Sequence, residues 1–181
     1  MKHANAPKGW RKEAMEWMIS ILIAIAVVIV VNTFGFQLIR VDGTSMTPTL
    51  MDNERMFVLP MAYKINLPKH GDVVITHYPE RKDNFVKRVV GLPGDVIEVH
   101  DGHLFRNGAE LEESYIPDGT DGNFGPVTVP EGQVFVMGDN RNDSADSRES
   151  WVGPLNQNML RGKVISVVWP INRWGVVAHG E

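Results

Sequence analysis

The 181-residue chain contains no cysteine, which excludes disulfides and thiolate metal sites and leaves the redox compartment unmarked. Nor does it carry an excess of positive charge. Its 18 Lys and Arg stand against 22 Asp and Glu, a net charge of -4, so there is no electrostatic footprint for nucleic acid. No internal repeat and no low-complexity tract is present. Beyond residue 40 no stretch keeps a helical apolar period for long, and only residues 156 to 161 could hold a turn or two. A chain of this length has room for one sizeable core plus an anchor, not for two cores of ordinary size.

What the sequence does have is one long apolar run. From Trp17 to Phe36 it is apolar apart from Ser20, Asn32 and Thr33, and about 20 such residues suffice for a helix to cross the bilayer core. A buried core helix or a cleaved secretory signal would also fit the densest part, Ile21 to Val31. A cleaved signal, however, should end in small residues, whereas Asn32 to Gln37 is bulky and polar. Lys2, Lys8, Arg11 and Lys12 precede the run and only Arg40 and Arg55 follow it closely, so the positive-inside rule puts the N-terminus in the cytoplasm. The expected layout is a cytoplasmic segment over 1–16, a transmembrane anchor over 17–36 and an extracytoplasmic domain over 37–181.

The domain reads as mainly β. Short runs rich in Val, Ile and Phe, bounded by Gly, Pro, Asn and Asp, predict strands over 37–41, 72–76, 85–90, 96–99, 134–137 and 164–169. Asp101-Gly102 predicts a hairpin turn. The stretch 97–132, and above all 107–132 with its Gly, Pro and acidic residues, predicts a loop-rich excursion.

Three places could carry chemistry. Ser45 lies in Ser45-Met46-Thr47-Pro48-Thr49, just after the first strand; alone, a serine beside a proline turn is ordinary loop composition. Lys87 lies in Phe85-Val86-Lys87-Arg88-Val89-Val90, where strand alternation puts it on the face of Phe85 and Val89 and turns Arg88 the other way. Alone, it reads as an edge lysine reaching water. Gly138 to Arg148 is a dense polar run whose acidic spacing invites a calcium-loop reading. That reading fails, because Arg141 and Ser144 stand where such a loop needs a ligand and a glycine. No metal or organic cofactor is implied.

Taken together and in this order, the anchor, Ser45 to Thr49, Gly71-Asp72-Val73-Val74, Lys87 to Asp95 and Gly138 to Arg148 resemble the bacterial type I signal peptidases. The compact size resembles their single-anchor, Gram-positive form. The resemblance implies a membrane-bound serine endopeptidase with a signal-peptidase-like β-rich domain, which removes signal peptides from exported preproteins after small residues at positions -1 and -3. It implies Ser45 as nucleophile and Lys87 as general base, since His70, His77, His100, His103 and His179 have no triad-like setting. Lysine is a base only when neutral, and bringing it from about 10.4 to roughly 8 sets burial against the charged form by about 3 kcal/mol.

By the same resemblance Ser144 orients the lysine, Asp146 and Arg148 support the site, and Asp139 pairs with Arg88. These charges are expected to stand behind the reacting pair, because a carboxylate directly on Lys87 would raise its pKa. The Ser45 N–H is expected to hold the oxyanion. Gly43 stands where some relatives carry a second hydroxyl donor. Met46 is expected to line the substrate pocket or touch the membrane surface. The exported preprotein and the lipid bilayer are the expected partners. A self-cleaving Ser-Lys repressor and an inactive membrane-tethered binding module are the competing readings; the anchor argues against the first, intact Ser45 and Lys87 against the second.

Overall fold

The computed structural model describes residues 9–35 and 37–179, with the backbone alone for residues 30–34. The chain divides after Phe36 into two units. The first is helix α1 (Trp10–Phe34), 25 residues long, or about 37 Å. It contains no Gly or Pro, and its one hydroxyl before residue 30, Ser20, donates back to the Glu16 carbonyl at 2.9 Å, which satisfies the side chain inside the helix. Its described apolar side chains, Trp17 to Ile29, are exposed. Among the described residues no helix is long and apolar enough to cross a membrane; those whose side chains are described include Arg11, Lys12, Glu13 and Glu16 ahead of the apolar run. Lys2, Lys8 and Phe36, which bear on the expected topology, lie outside the described residues.

The second unit is β-rich. Its strands are β1 (Gln37–Arg40), β2 (Arg55–Leu59), β3 (Val73–His77), β4 (Asn84–Gly91), β5 (Val96–His100), β6 (His103–Arg106), β7 (Ala109–Glu110), β8 (Phe124–Thr128), β9 (Gln133–Met137), β10 (Leu155–Asn156), β11 (Leu160–Trp169) and β12 (Gly175–Val176), with one short helix, α2 (Ala62–Ile65). The larger sheet runs β1-β2-β11-β3-β4-β9-β10, with β12 on β11, and a smaller one runs β7-β6-β5-β8. β1 ends the larger sheet, and β9 pairs with β4 only from Arg88 onward. The first half of β4 therefore has β3 on one side and an open edge on the other.

The stretch 97–132 is mostly turn and loop, but 15 of its 36 residues lie in β5 to β8, so the smaller sheet is built from it. β8 escaped notice because Gly125-Pro126 interrupts its pattern, and proline is tolerated only where a strand is at an edge; β8 is such an edge. Gly125 has φ +84°, and a Cβ there would press on the Ile97 carbonyl.

Three apolar clusters hold the domain. One joins Val41, Met46 and Leu50 to Met56, Val58, Val73, Ile75 and Val164. Met46 and Leu50 are 2% and 0% exposed, and burial of a side chain of this size contributes about 1.5–3 kcal/mol. That packing pins the turn after β1 to the sheet. A second cluster joins Val74, Tyr78 and Val89 to Val134, Val136 and Leu155, and a third packs the smaller sheet on Phe135 and Met137.

Candidate active site

Ser45 sits in the turn that Met46 and Leu50 anchor. Its carbonyl accepts from the Asn140 N–H at 3.1 Å, and Asn140 Nδ2 donates to the Thr44 carbonyl at 3.2 Å. Thr44 Oγ1 donates to Asp143 at 2.7 Å. The polar run after β9 thus grips the backbone on both sides of Ser45. Gly138 lies in the grip, and a methyl group there would collide with the Ser45 carbonyl and with Ser144 Oγ.

Lys87 lies in the middle of β4, paired across to Val74. It is 2% exposed, and its Nζ is 2.6 Å from Ser45 Oγ. No salt bridge reaches it from any described residue. Burial pushes its pKa down to about 8; the Asp146, Asp139 and Asp143 carboxylates oppose the shift, and Arg148 adds to it. A lowering from 10.5 to about 8 corresponds to about 3 kcal/mol against the ammonium, the scale expected from the sequence. An amine so placed can accept a proton from the hydroxyl beside it.

Arg88, one residue on, is 0% exposed and fully paired. Nε and Nη2 donate to the two oxygens of Asp139 at 2.8 and 2.7 Å, and Nη1 donates to the carbonyls of Gly71 and Ala178. Its guanidinium lies 3.9 Å from the Tyr115 ring centre. The expected Asp139–Arg88 pair is therefore present, and Thr49 Oγ1 donates to the same carboxylate.

Asp146 is buried; it accepts from the Gly138 N–H at 3.0 Å and from Arg148 Nε and Nη2 at 2.9 Å each. Arg148 also donates to the Arg141 carbonyl. Neither Asp146 nor Arg148 bonds to Lys87 or Ser45, and both act on the Lys87 amine through their charge. Ser144 differs from expectation. Its buried hydroxyl makes no hydrogen bond, so the bond expected to orient Lys87 is not made. The Ser144 side chain lies so close to Gly138 that no Cβ would fit between them.

A cleft of about 390 Å³ opens beside Ser45, between β1 and the open edge of β4. Ile39, Val41, Met46, Ile75, Phe85 and Val86 give it apolar walls, and Arg40, Asp42, Asp83 and Asn84 are also on it. Met46 thus faces the pocket, but the expectation that it touches the membrane surface is corrected. Its side chain belongs to the core because that is what holds the turn. Gly43 has φ +100° and spends its N–H on Asp52 Oδ1 at 3.0 Å. The Ser45 N–H has no acceptor among the described residues.

Four of the five described histidines are engaged elsewhere: His70 with Asp95, His103 with Glu110, His100 stacked on Phe105, and His179 accepting from the Val73 N–H; the fifth, His77, ends β3 opposite Asn84. Among the described residues no cluster could hold a metal ion. Sequence reasoning missed one buried ion pair near the site, Arg141 with Glu113. Arg141 Nε also donates to the Gly138 carbonyl at 3.0 Å. Nothing local marks Glu113 among its acidic neighbours, whereas Arg141 was visible within the polar run.

A buried amine against a serine hydroxyl, with no described histidine bonded to either, defines the class of site as one suited to serine hydrolysis on a lysine base. Comparison with known proteins agrees on serine hydrolysis. The profile described as signal peptidase, peptidase S26, matches residues 14–169. Signal peptidase I of Bacillus licheniformis is 38% identical over 172 residues, covering 90% of this chain and 92% of its own. Signal peptidase I of Leptolyngbya laminosa is 36% identical over 180 residues, covering 95% of this chain and 87% of its own. A crystal structure of a signal peptidase I from Enterococcus faecalis is 31% identical with a TM-score of 0.48, covering 54% of this chain and 97% of that one. The chain belongs to the signal peptidase family, peptidase S26. It is an enzyme, a hydrolase of the serine peptidase kind.

Proposed function

We propose that this enzyme is a membrane-bound endopeptidase that removes signal peptides from exported preproteins, with Ser45 as nucleophile and Lys87 as general base. One observation carries the reading: the Lys87 amine, 2% exposed, lies 2.6 Å from the Ser45 hydroxyl. Neutral Lys87 takes the proton as Ser45 Oγ attacks the scissile carbonyl. The tetrahedral oxyanion rests on the Ser45 N–H; the Gly43 N–H is already committed to Asp52, and Gly43 has no hydroxyl to add. The Lys87 ammonium then protonates the leaving amine, an acyl-enzyme remains on Ser45, and neutral Lys87 draws a proton from the water that releases it.

The preprotein lies as an added strand between β1 and the open edge of β4, where main-chain hydrogen bonds hold it and alternate side chains enter the cleft. Met46, Val41 and Phe85 leave space for alanine-sized groups at -1 and -3. Asp139, Arg88, Asp146 and Arg148 hold the polar run, and Ser144 packs against Gly138. The apolar run 17–36 anchors the chain in the membrane, the N-terminus lies in the cytoplasm, and the domain 37–181 lies outside.

The test is cleavage of one preprotein by the full chain in detergent. Ser45→Ala should be inactive, and replacing the -1 alanine by a bulky residue should nearly stop cleavage by the parent. Equal turnover of both substrates would remove the small-pocket assignment. Protease added to intact spheroplasts should digest the chain beyond residue 40; access to the first 16 residues alone would reverse the topology.

A further inference from the structure

We propose that Tyr78 is a positioning residue for the Ser45–Lys87 pair, joining the wall of the cleft to the backbone between Ser144 and Asp146; this deepens the lysine-base reading and rests on it. Tyr78 follows β3 and is 0% exposed. Its ring stacks on Phe85, with centres 4.2 Å apart and planes 13° from parallel. Phe85 lines the cleft and precedes Lys87 by two on the same strand, so the two share a face. At its other end, the Tyr78 hydroxyl donates to the Ala145 carbonyl at 3.0 Å. Ala145 separates Ser144, whose buried hydroxyl has no partner, from Asp146, the carboxylate with the largest influence on Lys87. One rigid side chain therefore ties the strand that carries the base to the segment that carries its strongest opposing charge.

The segment is fixed to β9 by Ser147, whose N–H donates to the Val136 carbonyl and whose Oγ accepts from the Val136 N–H at 3.0 Å each, while Asp146 and Arg148 bond to each other and to the same polar run. The Tyr78 bond holds the other side of Asp146, next to Ser144, which contributes none. The charges that face Lys87 are Asp146, Asp139 and Asp143, which favour its ammonium, and Arg148, which opposes it. Without the Tyr78 anchor the Ala145 side of the segment can shift while the Ser147 side stays fixed, and any closer approach of the Asp146 carboxylate to Lys87 stabilises the ammonium. Burial, with Asp146 adding to it, raises the pKa of the Tyr78 phenol far above its ordinary value. Tyr78 therefore stays a donor through any practical assay range.

The experiment uses the full chain in detergent micelles and a neutral signal-peptide substrate, with kcat and KM measured against pH for the parent, Tyr78→Phe, Lys87→Ala and Trp151→Phe. Tyr78→Phe keeps the ring stack and removes the donor to the carbonyl of Ala145, an exposed residue. Its kcat should fall about tenfold with KM within about twofold, and its acid limb should move about half a pH unit upward. Trp151 meets only the edge of the Tyr78 ring, at 5.9 Å, so Trp151→Phe should lower the melting temperature without moving the limb. Should Tyr78→Phe fail to accumulate folded, 4-aminophenylalanine at position 78 supplies an N–H donor in the same place and should keep the parental limb. A Tyr78→Phe enzyme that melts earlier but keeps the parental kcat and limb overturns the positioning role while leaving the base in place. A Lys87→Ala enzyme of parental rate overturns both.

Discussion

Two adjacent residues of β4 teach most about this molecule. Lys87 and Arg88 are both cations and both buried, at 2% and 0% exposure, yet they meet opposite faces of the strand and opposite chemistry. Arg88 keeps its charge because two charge-assisted bonds to Asp139, two carbonyls and an aromatic face replace the water it lost. Lys87 has a hydroxyl at bonding distance and carboxylates only further off. Its charge is the thing that yields. Burial with a partner makes a fixed strut, and burial without one makes a base.

The contrast breaks most severely if the two cations are made alike. Lys87→Arg preserves the charge but cannot deprotonate in a protein, so cleavage should fall by about 10⁴-fold or more. Circular dichroism would establish that the variant is folded, and a near-parental rate would mean that Lys87 is not the base. The reverse change attacks the strut. Arg88→Ala leaves the Asp139 carboxylate buried without its partner and should cost about 3–5 kcal/mol of stability in urea unfolding.

Lys87→Met sharpens the same comparison in stability alone. The folded pKa of Lys87, about 8, lies below its unfolded value, so the unfolded chain binds more protons between about 8 and 10.5 and the lysine penalises folding fully below that window. The variant should therefore be more stable by about 2 kcal/mol at pH 7, allowing for the lost bond to Ser45. The gain should fade as pH rises from about 8 toward 10.5, and a gain independent of pH would assign it to packing. Ser144→Ala should have the smallest effect. Its hydroxyl has no hydrogen bond to lose, so the melting temperature should hold and activity should drop by less than about tenfold. A collapse to the level of Ser45→Ala would give Ser144 a proton-handling role.

Much of this site was legible in the sequence because its chemistry is local to short motifs. Ser45 follows a recognisable strand, and the alternation of β4 correctly turned Lys87 and Arg88 apart. Asp139 was placed with Arg88 by resemblance, across 51 residues. Other features depend on packing that no short window contains. Glu113 meets Arg141 from 28 residues away, inside a run of acidic residues that look alike. Tyr78 reads as a strand-end tyrosine until its hydroxyl is seen on Ala145, 67 residues later. Met46 could not be assigned to the core before the turn was seen folded onto β2 and β3. β8 was hidden by its own Gly-Pro, and Ser144 misled because a matching residue type does not fix a hydroxyl's direction.

The central claim is that Lys87 acts as a neutral amine, and the dependence of kcat/KM on pH tests it most directly. For the full chain in detergent micelles acting on a neutral peptide substrate, the rate should climb tenfold per pH unit on the acid side and level off through an apparent pKa near 8, where burial places Lys87. A limb at the ordinary lysine value near 10.5, or a rate flat from pH 6 to 9, would contradict it.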